Sequence, residues 1–351
     1  MTGEADRSPG TARRKADHLR INLEEDVSSR GVTAGWEHYR LKHCALPELD
    51  LAMVDLGVTF LGHQLAAPLL ISCMTGGTPE ATVINRRLAA AAQSVGCAIG
   101  LGSIRAALED PLLAESFQVR SVAPDVLLLA NLGAVQLNYG YGVDDCRRAV
   151  ELMDAGALVL HLNALQEALQ DGGNTNFNGL LRRIEQICRQ LPVPVIAKEV
   201  GWGITGDLAR KLQEAGVAAV DVAGAGGTSW SEVERHRAPT PQRAAVAGAF
   251  VDWGIPTAEC VLSCRAACPE LPVIASGGVR NGIDVTKAIV LGADLVGLAG
   301  LLIRAAATSD DGATVFLETV REELRTAMFA IGAQDTKALH EGGADFFLSP
   351  A

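Results

Sequence analysis

The sequence predicts an α/β protein built as a single (β/α)8 TIM barrel with an N-terminal extension, and three observations carry that expectation. From residue 68 onward, short apolar runs of β character alternate with longer segments whose apolar residues recur at helical spacing. Eight such runs occur, which favours a closed barrel over an open doubly wound sheet. Nearly every run leads directly into a polar or glycine-rich motif, and barrel active sites are assembled at that end of the strands.

Strands are expected at residues 69–73, 97–101, 126–130, 157–160, 193–197, 219–222, 273–275 and 295–298. The segments 82–95, 111–122, 144–155, 179–190, 205–215, 257–267 and 283–291 read as the intervening helices. Asp110 before Pro111 is a helix-start signal, and Gly96, Gly156, Gly216 and Gly292 are helix stops. Residues 1–67 hold too few apolar side chains for a core of their own and read as an extension that contributes basic residues; 68–340 form the barrel and 341–351 a tail. Residues 223–254 make a long connection rich in Gly, Ser, Thr and Pro, the profile of a lid or binding loop.

Composition narrows the function classes. The 351-residue chain is 48% hydrophobic, which suits one large α/β domain, and it carries a net charge of −11. That balance argues against a nucleic-acid surface, which needs excess Lys and Arg, but leaves room for a small anionic ligand. A local basic cluster, Arg13-Arg14-Lys15 with His18 and Arg20, supplies the opposite charge, although such clusters are often solvated tails. No apolar run approaches the roughly 18 residues needed to cross a bilayer. Eight cysteines lack Cys-x-x-Cys spacing and no signal peptide precedes them, so a cytoplasmic setting is expected. Cys260, Cys264 and Cys268 recur every fourth residue, a packing stripe on one helix face.

The strand ends define the chemistry. After the seventh, Ser276-Gly277-Gly278-Val279-Arg280 leaves room for backbone N–H groups to approach a phosphate, and Ala299-Gly300 offers a second turn after the eighth. Lys198 closes an apolar strand and needs an anionic partner there unless it reaches solvent. Met74-Thr75-Gly76, Ser103 and Asn131 present small groups to the same rim. The densest motif is His161-Leu162-Asn163-Ala164-Leu165-Gln166-Glu167. Glu167 with Asn163 and Gln166 offers the oxygen ligands Mg²⁺ prefers, or else is an exposed helix charge; His161 joins them or serves as a hydrogen-bonded core residue.

Together with Arg14-Lys15-x-Asp17-His18, Gly102-Ser103-x-Arg105, Lys198-Glu199-Val200-Gly201, Gly226-Gly227-Thr228-Ser229-Trp230 and Asp252-Trp253-Gly254-Ile255-Pro256-Thr257, these motifs resemble the type 2 isopentenyl diphosphate isomerases, in order from about residue 13 to about residue 340. The resemblance implies an FMN-dependent enzyme that interconverts isopentenyl and dimethylallyl diphosphate, with reduced FMN as acid and base, Mg²⁺ on the diphosphate and NADPH as flavin reductant. It implies FMN contacts from Met74, Thr75, Gly76, Ser103, Asn131, Lys198, Thr228, Gly277, Gly278, Val279, Arg280, Ala299 and Gly300. Substrate contacts are implied at Arg14, Lys15, His18, Ser103, Ile104, Arg105, Asn163 and Gln166, catalytic roles at Lys198, Gln166 and His161, and a metal role at Glu167. Family members commonly carry Gln where this chain has Ile104, so a rearranged substrate contact is expected there. A homotetramer or octamer acting on a small molecule, with neither nucleic acid nor membrane as partner, completes the expectation.

Two rivals lack their groups. A 2-hydroxy acid oxidase needs a His close after the sixth strand, where residues 222–227 have none, and a nucleotide dehydrogenase needs a Cys that is absent between Cys188 and Cys260. A non-catalytic scaffold barrel would not need Lys, Glu and glycine loops gathered on one face.

Overall fold

The computed structural model describes residues 10–348, with side chains from residue 14. Residues 1–9 and 349–351, and the side chain of Arg13 in the basic cluster, lie outside the described set. The chain opens with helix α1 (Gly10–Glu24), passes through two 3₁₀ turns, and forms a hairpin of β1 (Val58–Phe60) and β2 (His63–Leu65). The repeating part follows as β3 (Leu69–Ile71), α2 (Pro79–Val95), β4 (Ala98–Gly100), α3 (Arg105–Glu109), β5 (Leu128–Gly133), α4 (Val143–Met153), β6 (Ala157–His161), α5 (Ala164–Leu169), α6 (Leu180–Gln190), β7 (Val195–Lys198), α7 (Gly206–Glu214) and β8 (Ala219–Asp221). After these come α8 (Trp230–Arg237), α9 (Pro241–Gly248), α10 (Thr257–Ala267), β9 (Val273–Ser276), α11 (Gly282–Val290), β10 (Leu295–Leu298), α12 (Gly300–Thr308), α13 (Gly312–Ile331) and α14 (Thr336–Gly342).

Strands β3 to β10 close into one parallel barrel in sequence order, β10 pairing with β3. All eight expected strands are present, and the crossover helices cover them as an α/β barrel requires. Their ends shift in an informative way. Strand β5 starts at Leu128 and runs on to Gly133, and β6 runs on to His161, because these ends still pair with each other: Asn131 with Val159, Gly133 with His161. Asn131, His161 and Lys198 therefore sit on rigid strand rather than in loops.

Two expectations need correction, and one stretch carried none. The helix expected over 111–122 is a 3₁₀ turn, Pro111–Phe117, preceded by the short α3. Asp110 ends one and caps the other by accepting from Leu112 N at 3.0 Å, and Pro124 biases the preceding residue away from helix. The long connection 223–254 is not an open loop, since it folds into α8 and α9, the latter capped by Thr240. Residues 300–342 form three helices that the strand-centred reading left unassigned, although α13 buries Leu317, Val320, Leu324 and Met328 at helical spacing.

The N-terminal residues pack onto the barrel. Trp36, Val54 and Leu56 are buried in its outer core. The hairpin closes the bottom, Phe60 and Leu65 clustering with Leu70, Leu129, Val159 and Ile196 inside the barrel. Among the described residues no helix is long and apolar enough to cross a membrane. Phe60 is 2% exposed, so Phe60→Ala opens a cavity under the strands and is expected to lower the unfolding free energy by about 3–5 kcal/mol in urea denaturation. A loss below about 1 kcal/mol would show that the hairpin is not part of the barrel core.

Candidate functional site

At the C-terminal mouth of the barrel, a cavity of about 480 Å³ is lined by residues from α1, by the strand ends and by the loops that follow them. Each candidate site residue named from the sequence lines it, with one exception. Ile104 does not. It lies at the start of α3, where successive side chains diverge by about 100°, so Ser103 and Arg105 face the cavity while Ile104 is fully buried in the hydrophobic core. The substrate contact expected at Ile104 is therefore withdrawn.

The floor is made by strand ends. Lys198, 7% exposed, donates to its neighbour's carbonyl, Glu199 O, at 2.7 Å, and its Nζ stands 3.7 Å from Asp221 Oδ2. Asp221 is itself anchored, Oδ1 accepting from Ser276 Oγ at 2.5 Å and from Ala223 N at 3.3 Å. The turn after β7 is pinned by Glu199, whose Oε2 accepts from the N–H groups of Val200, Gly201, Trp202 and Gly203 at 2.6–3.3 Å. Burial pushes that carboxyl up to about 7, and the bonds from Trp202, Gly201 and Val200, with the charge of Lys198, oppose the shift. Asp221 is missed by sequence reasoning, yet an acid inside the apolar run 219–222 is the signal that could have revealed it.

His161 is held by Asn131. Asn131 Nδ2 donates to Leu101 O at 3.2 Å, which turns its Oδ1 toward His161 Nδ1 at 2.9 Å. The imidazole must then carry its proton on Nδ1, leaving Nε2 as an acceptor. Burial, with Lys198, Lys15 and Arg14 adding repulsion, pushes its pKa down to about 3, so the ring is neutral across the physiological range. Gly133 makes room for it: a Cβ there would stand 3.2 Å from Nε2.

One wall is cationic. Helix α1 presents Arg14, Lys15 and His18, and Arg105 faces them from α3. Lys15 donates to Ser103 O at 2.6 Å and lies 5.2 Å from the centre of the Phe117 ring, with no carboxylate against it among the described residues. Burial, then repulsion from Arg14, pushes its ammonium down to about 7. Arg14 is lowered by burial as well, with Arg105 adding repulsion. His18 instead docks the helix. Its Nε2 donates to Glu234 Oε1 at 2.9 Å, while Arg237 Nη1 donates to Glu234 Oε2 at 2.5 Å. Burial works against ionisation of Glu234, but the bonds from His18 and Arg237 hold its pKa below the usual value. The His–Glu link spans 216 residues, and Glu234 carries no local sequence signal.

The facing wall is the His161–Glu167 motif. Asn163 Nδ2 donates to Gln166 Oε1 at 3.1 Å and to Glu167 Oε1 at 3.2 Å, and Gln166 Nε2 reaches Glu234 Oε1 at 3.4 Å. Glu167 Oε2 accepts from Gln170 Nε2 at 3.2 Å and from Asn174 N at 2.5 Å. Among the described residues no cluster of three or more His, Cys, Asp or Glu could hold a metal. The donor set fits Mg²⁺ rather than a metal caged by protein, because that ion takes one or two carboxylate or amide oxygens and fills its shell with phosphate and water. Asn163 Oδ1, buried without a partner, is such an oxygen beside Glu167.

The remaining rim fits a flat phosphorylated cofactor. Gly277 and Gly278 have φ of +102° and +71°, and side chains on them would collide with the carbonyls of Gly224 and Gly226 across the β8 loop. Thr257 ties the two loops, donating to Gly277 O at 2.6 Å. Next to them Ala299 and Gly300 begin α12, where Leu302 N already donates to Ala299 O at 3.0 Å and the N–H groups of Gly300 and Leu301 precede the first intrahelical bond. Ser72 Oγ, buried at the floor, is unpartnered as well. Opposite, the Met74–Gly77 loop is locked by Asn85, which bonds the Thr75 hydroxyl and donates to Thr75 O and Ser116 O.

Residues 155–344 match the family of FMN-dependent dehydrogenases. The chain is 53% identical to the isopentenyl-diphosphate delta-isomerase of Nostoc sp., over 96% of each chain, and 48% identical to that of Oceanobacillus iheyensis, over 94% of this chain and 95% of the relative. Its fold is that of mandelate oxidase (TM-score 0.62, 19% identity, 94% of both chains) and of the Pediococcus acidilactici lactate oxidase (TM-score 0.63, 18% identity, 92% and 85%). The chain belongs to the type 2, FMN-dependent isopentenyl-diphosphate delta-isomerase family.

Proposed function

We propose that the protein interconverts isopentenyl diphosphate and dimethylallyl diphosphate, with reduced FMN on the strand-end floor and a Mg²⁺-diphosphate between the two polar walls. The observation that carries this reading is the meeting, in one cavity, of a glycine-built phosphate rim and a separate cationic wall in which half-buried Arg14 and Lys15 have no carboxylate against them among the described residues and Arg105 stands beside them. A flavin accounts for the first and a diphosphate for the second.

The reaction adds a proton at C4 and removes one from C2 without net oxidation. Reduced FMN, when bound, supplies the proton-exchanging group and an electron-rich ring. The chain's own residues orient and screen. Arg14, Lys15 and Arg105 anchor the diphosphate far from the reacting carbons, so that binding energy is used for alignment. Glu167 holds Mg²⁺ against it, with Asn163 and Gln166 beside the ion. Lys198 places a fixed positive charge at the floor, which favours an anionic cofactor ring. Neutral His161 offers Nε2 as a hydrogen-bond acceptor, and Gln166, tied to Glu234, offers an amide. NADPH serves only to reduce the flavin at the outset. All eight cysteines are free, which suits a reducing cytoplasm.

Proton NMR of isopentenyl diphosphate with FMN, Mg²⁺ and NADPH, each omitted in turn, tests this reading. Turnover should require FMN and Mg²⁺, and pre-reduced flavin should make NADPH dispensable; activity without FMN contradicts the proposal. Glu167→Gln should raise the Mg²⁺ concentration for half-maximal rate by about 10-fold or more, as expected when the sole anionic protein ligand is lost. An unchanged requirement would remove Glu167 from the metal site.

Lys15 sets a pH dependence. With its ammonium pKa at about 7 in the free pocket, the group is charged below that pH and mostly neutral above it. An anion binds the charged form, so affinity should fall as pH rises above 7, and binding at pH 8 should take up about one proton per site. Sulfate does not titrate in this range and makes a clean probe. Calorimetry in buffers of different ionisation heat should show the uptake in the native protein and its loss in Lys15→Met; equal uptake in both would place the titrating group elsewhere.

A further inference from the structure

Asn174 stands in the loop between α5 and α6, behind the cavity wall, and touches both charged sides of the site. Its backbone N–H donates to Glu167 Oε2 at 2.5 Å. Its side-chain Oδ1 accepts from Arg105 Nη1 at 3.4 Å and from Gln136 Nε2 at 3.2 Å. The approach is enforced by Gly173, where a Cβ would overlap the carbonyl oxygen of Glu167. Arg105 is held on its other edge by Glu109, whose Oε1 accepts from Arg105 Nε at 2.7 Å and from Tyr141 OH at 2.9 Å.

We propose that Asn174 is a positioning residue, fixing the plane of the Arg105 guanidinium and its separation from Glu167, and so the seat of the diphosphate. This deepens the functional reading above and rests on it. Two anchors on different edges of a planar guanidinium, Glu109 on Nε and Asn174 on Nη1, define its orientation; one anchor leaves it free to rotate. The second anchor is a neutral amide, which adds no negative charge beside Glu167. Without it, Arg105 is free to swing toward the Glu167 carboxylate and pair with it, neutralising the cation and the metal ligand together. The backbone N–H to Glu167 does not depend on the side chain, so substitution at Asn174 separates the Arg105 function from the metal function.

The test uses FMN-loaded full-length protein, with Asn174→Ala and Asn174→Asp compared to the native chain. Inorganic pyrophosphate with Mg²⁺ is the binding probe, read by calorimetry, and isopentenyl diphosphate the kinetic one. Asn174→Ala should weaken pyrophosphate by about 10-fold, the effect of losing a hydrogen bond to a charged group, and raise KM to match. Its kcat, flavin absorption spectrum and melting temperature should stay close to native, which a general structural defect would not allow. Asn174→Asp keeps an acceptor for Arg105 but adds a carboxylate that neutralises it beside Glu167, so it should bind pyrophosphate no better than Asn174→Ala. Native-like pyrophosphate binding in either variant would overturn the inference. Absence of isomerisation by the native chain, with the pyrophosphate pattern intact, would instead overturn the assigned reaction and leave the positioning role standing.

Discussion

Buried positive charge is the constraint on which this site depends. In a protein of net charge −11, Arg14, Lys15 and Arg105 converge on one cavity; burial and repulsion from neighbouring cations lower the proton affinity of Arg14 and Lys15, while Glu109 at 2.7 Å balances Arg105. Burying cations without anionic partners is costly, and a fold keeps such an arrangement only where a ligand completes it. Lys198 shows the contrast: it has Asp221 at 3.7 Å and a carbonyl at 2.7 Å, so its charge is partly balanced within the protein. In the proposed reading the two sets of cations have different tasks, one as a fixed field at the floor and one as the receptor for a multiply charged group.

The N-terminal extension makes that receptor. Helix α1 reaches the cavity because His18 is bonded to Glu234 and packs edge-on to Trp230, and because residues 27–29 pair with the loop after β8. That loop also meets the β9 glycines, so the glycine rim and the cationic wall share one support. Glu234 extends the coupling by accepting from Gln166, which carries the link to the Glu167 side of the site.

Much of this was legible in the chain. The eight strands were readable because each is a short apolar run bounded by turn residues, and the site residues because they fall where those runs end. What escaped had a common cause. Asp221, Glu234 and Asn174 act by supporting other side chains, and their partners are 23 to 216 residues distant or lie across a loop, so no local pattern announces them. Ile104 failed for the opposite reason. Its neighbours in the motif face the cavity, but a helix start turns the middle residue inward. The helices from residue 300 on carried a clear period that only the closed barrel, with α13 packed on α2 and α11, explains.

In the proposed complex the α1 cations and Arg105 seat the diphosphate while the glycine rim holds the flavin. A structure of the protein crystallised with oxidised FMN and isopentenyl diphosphate, which cannot turn over, tests it most directly. The diphosphate is expected in contact with Arg14, Lys15 and Arg105, with a Mg²⁺ on Glu167 and the FMN phosphate on the Gly277–Gly278 and Ala299–Gly300 turns. A diphosphate seated on those turns, or bound without contact to Lys15 and Arg105, would contradict that arrangement.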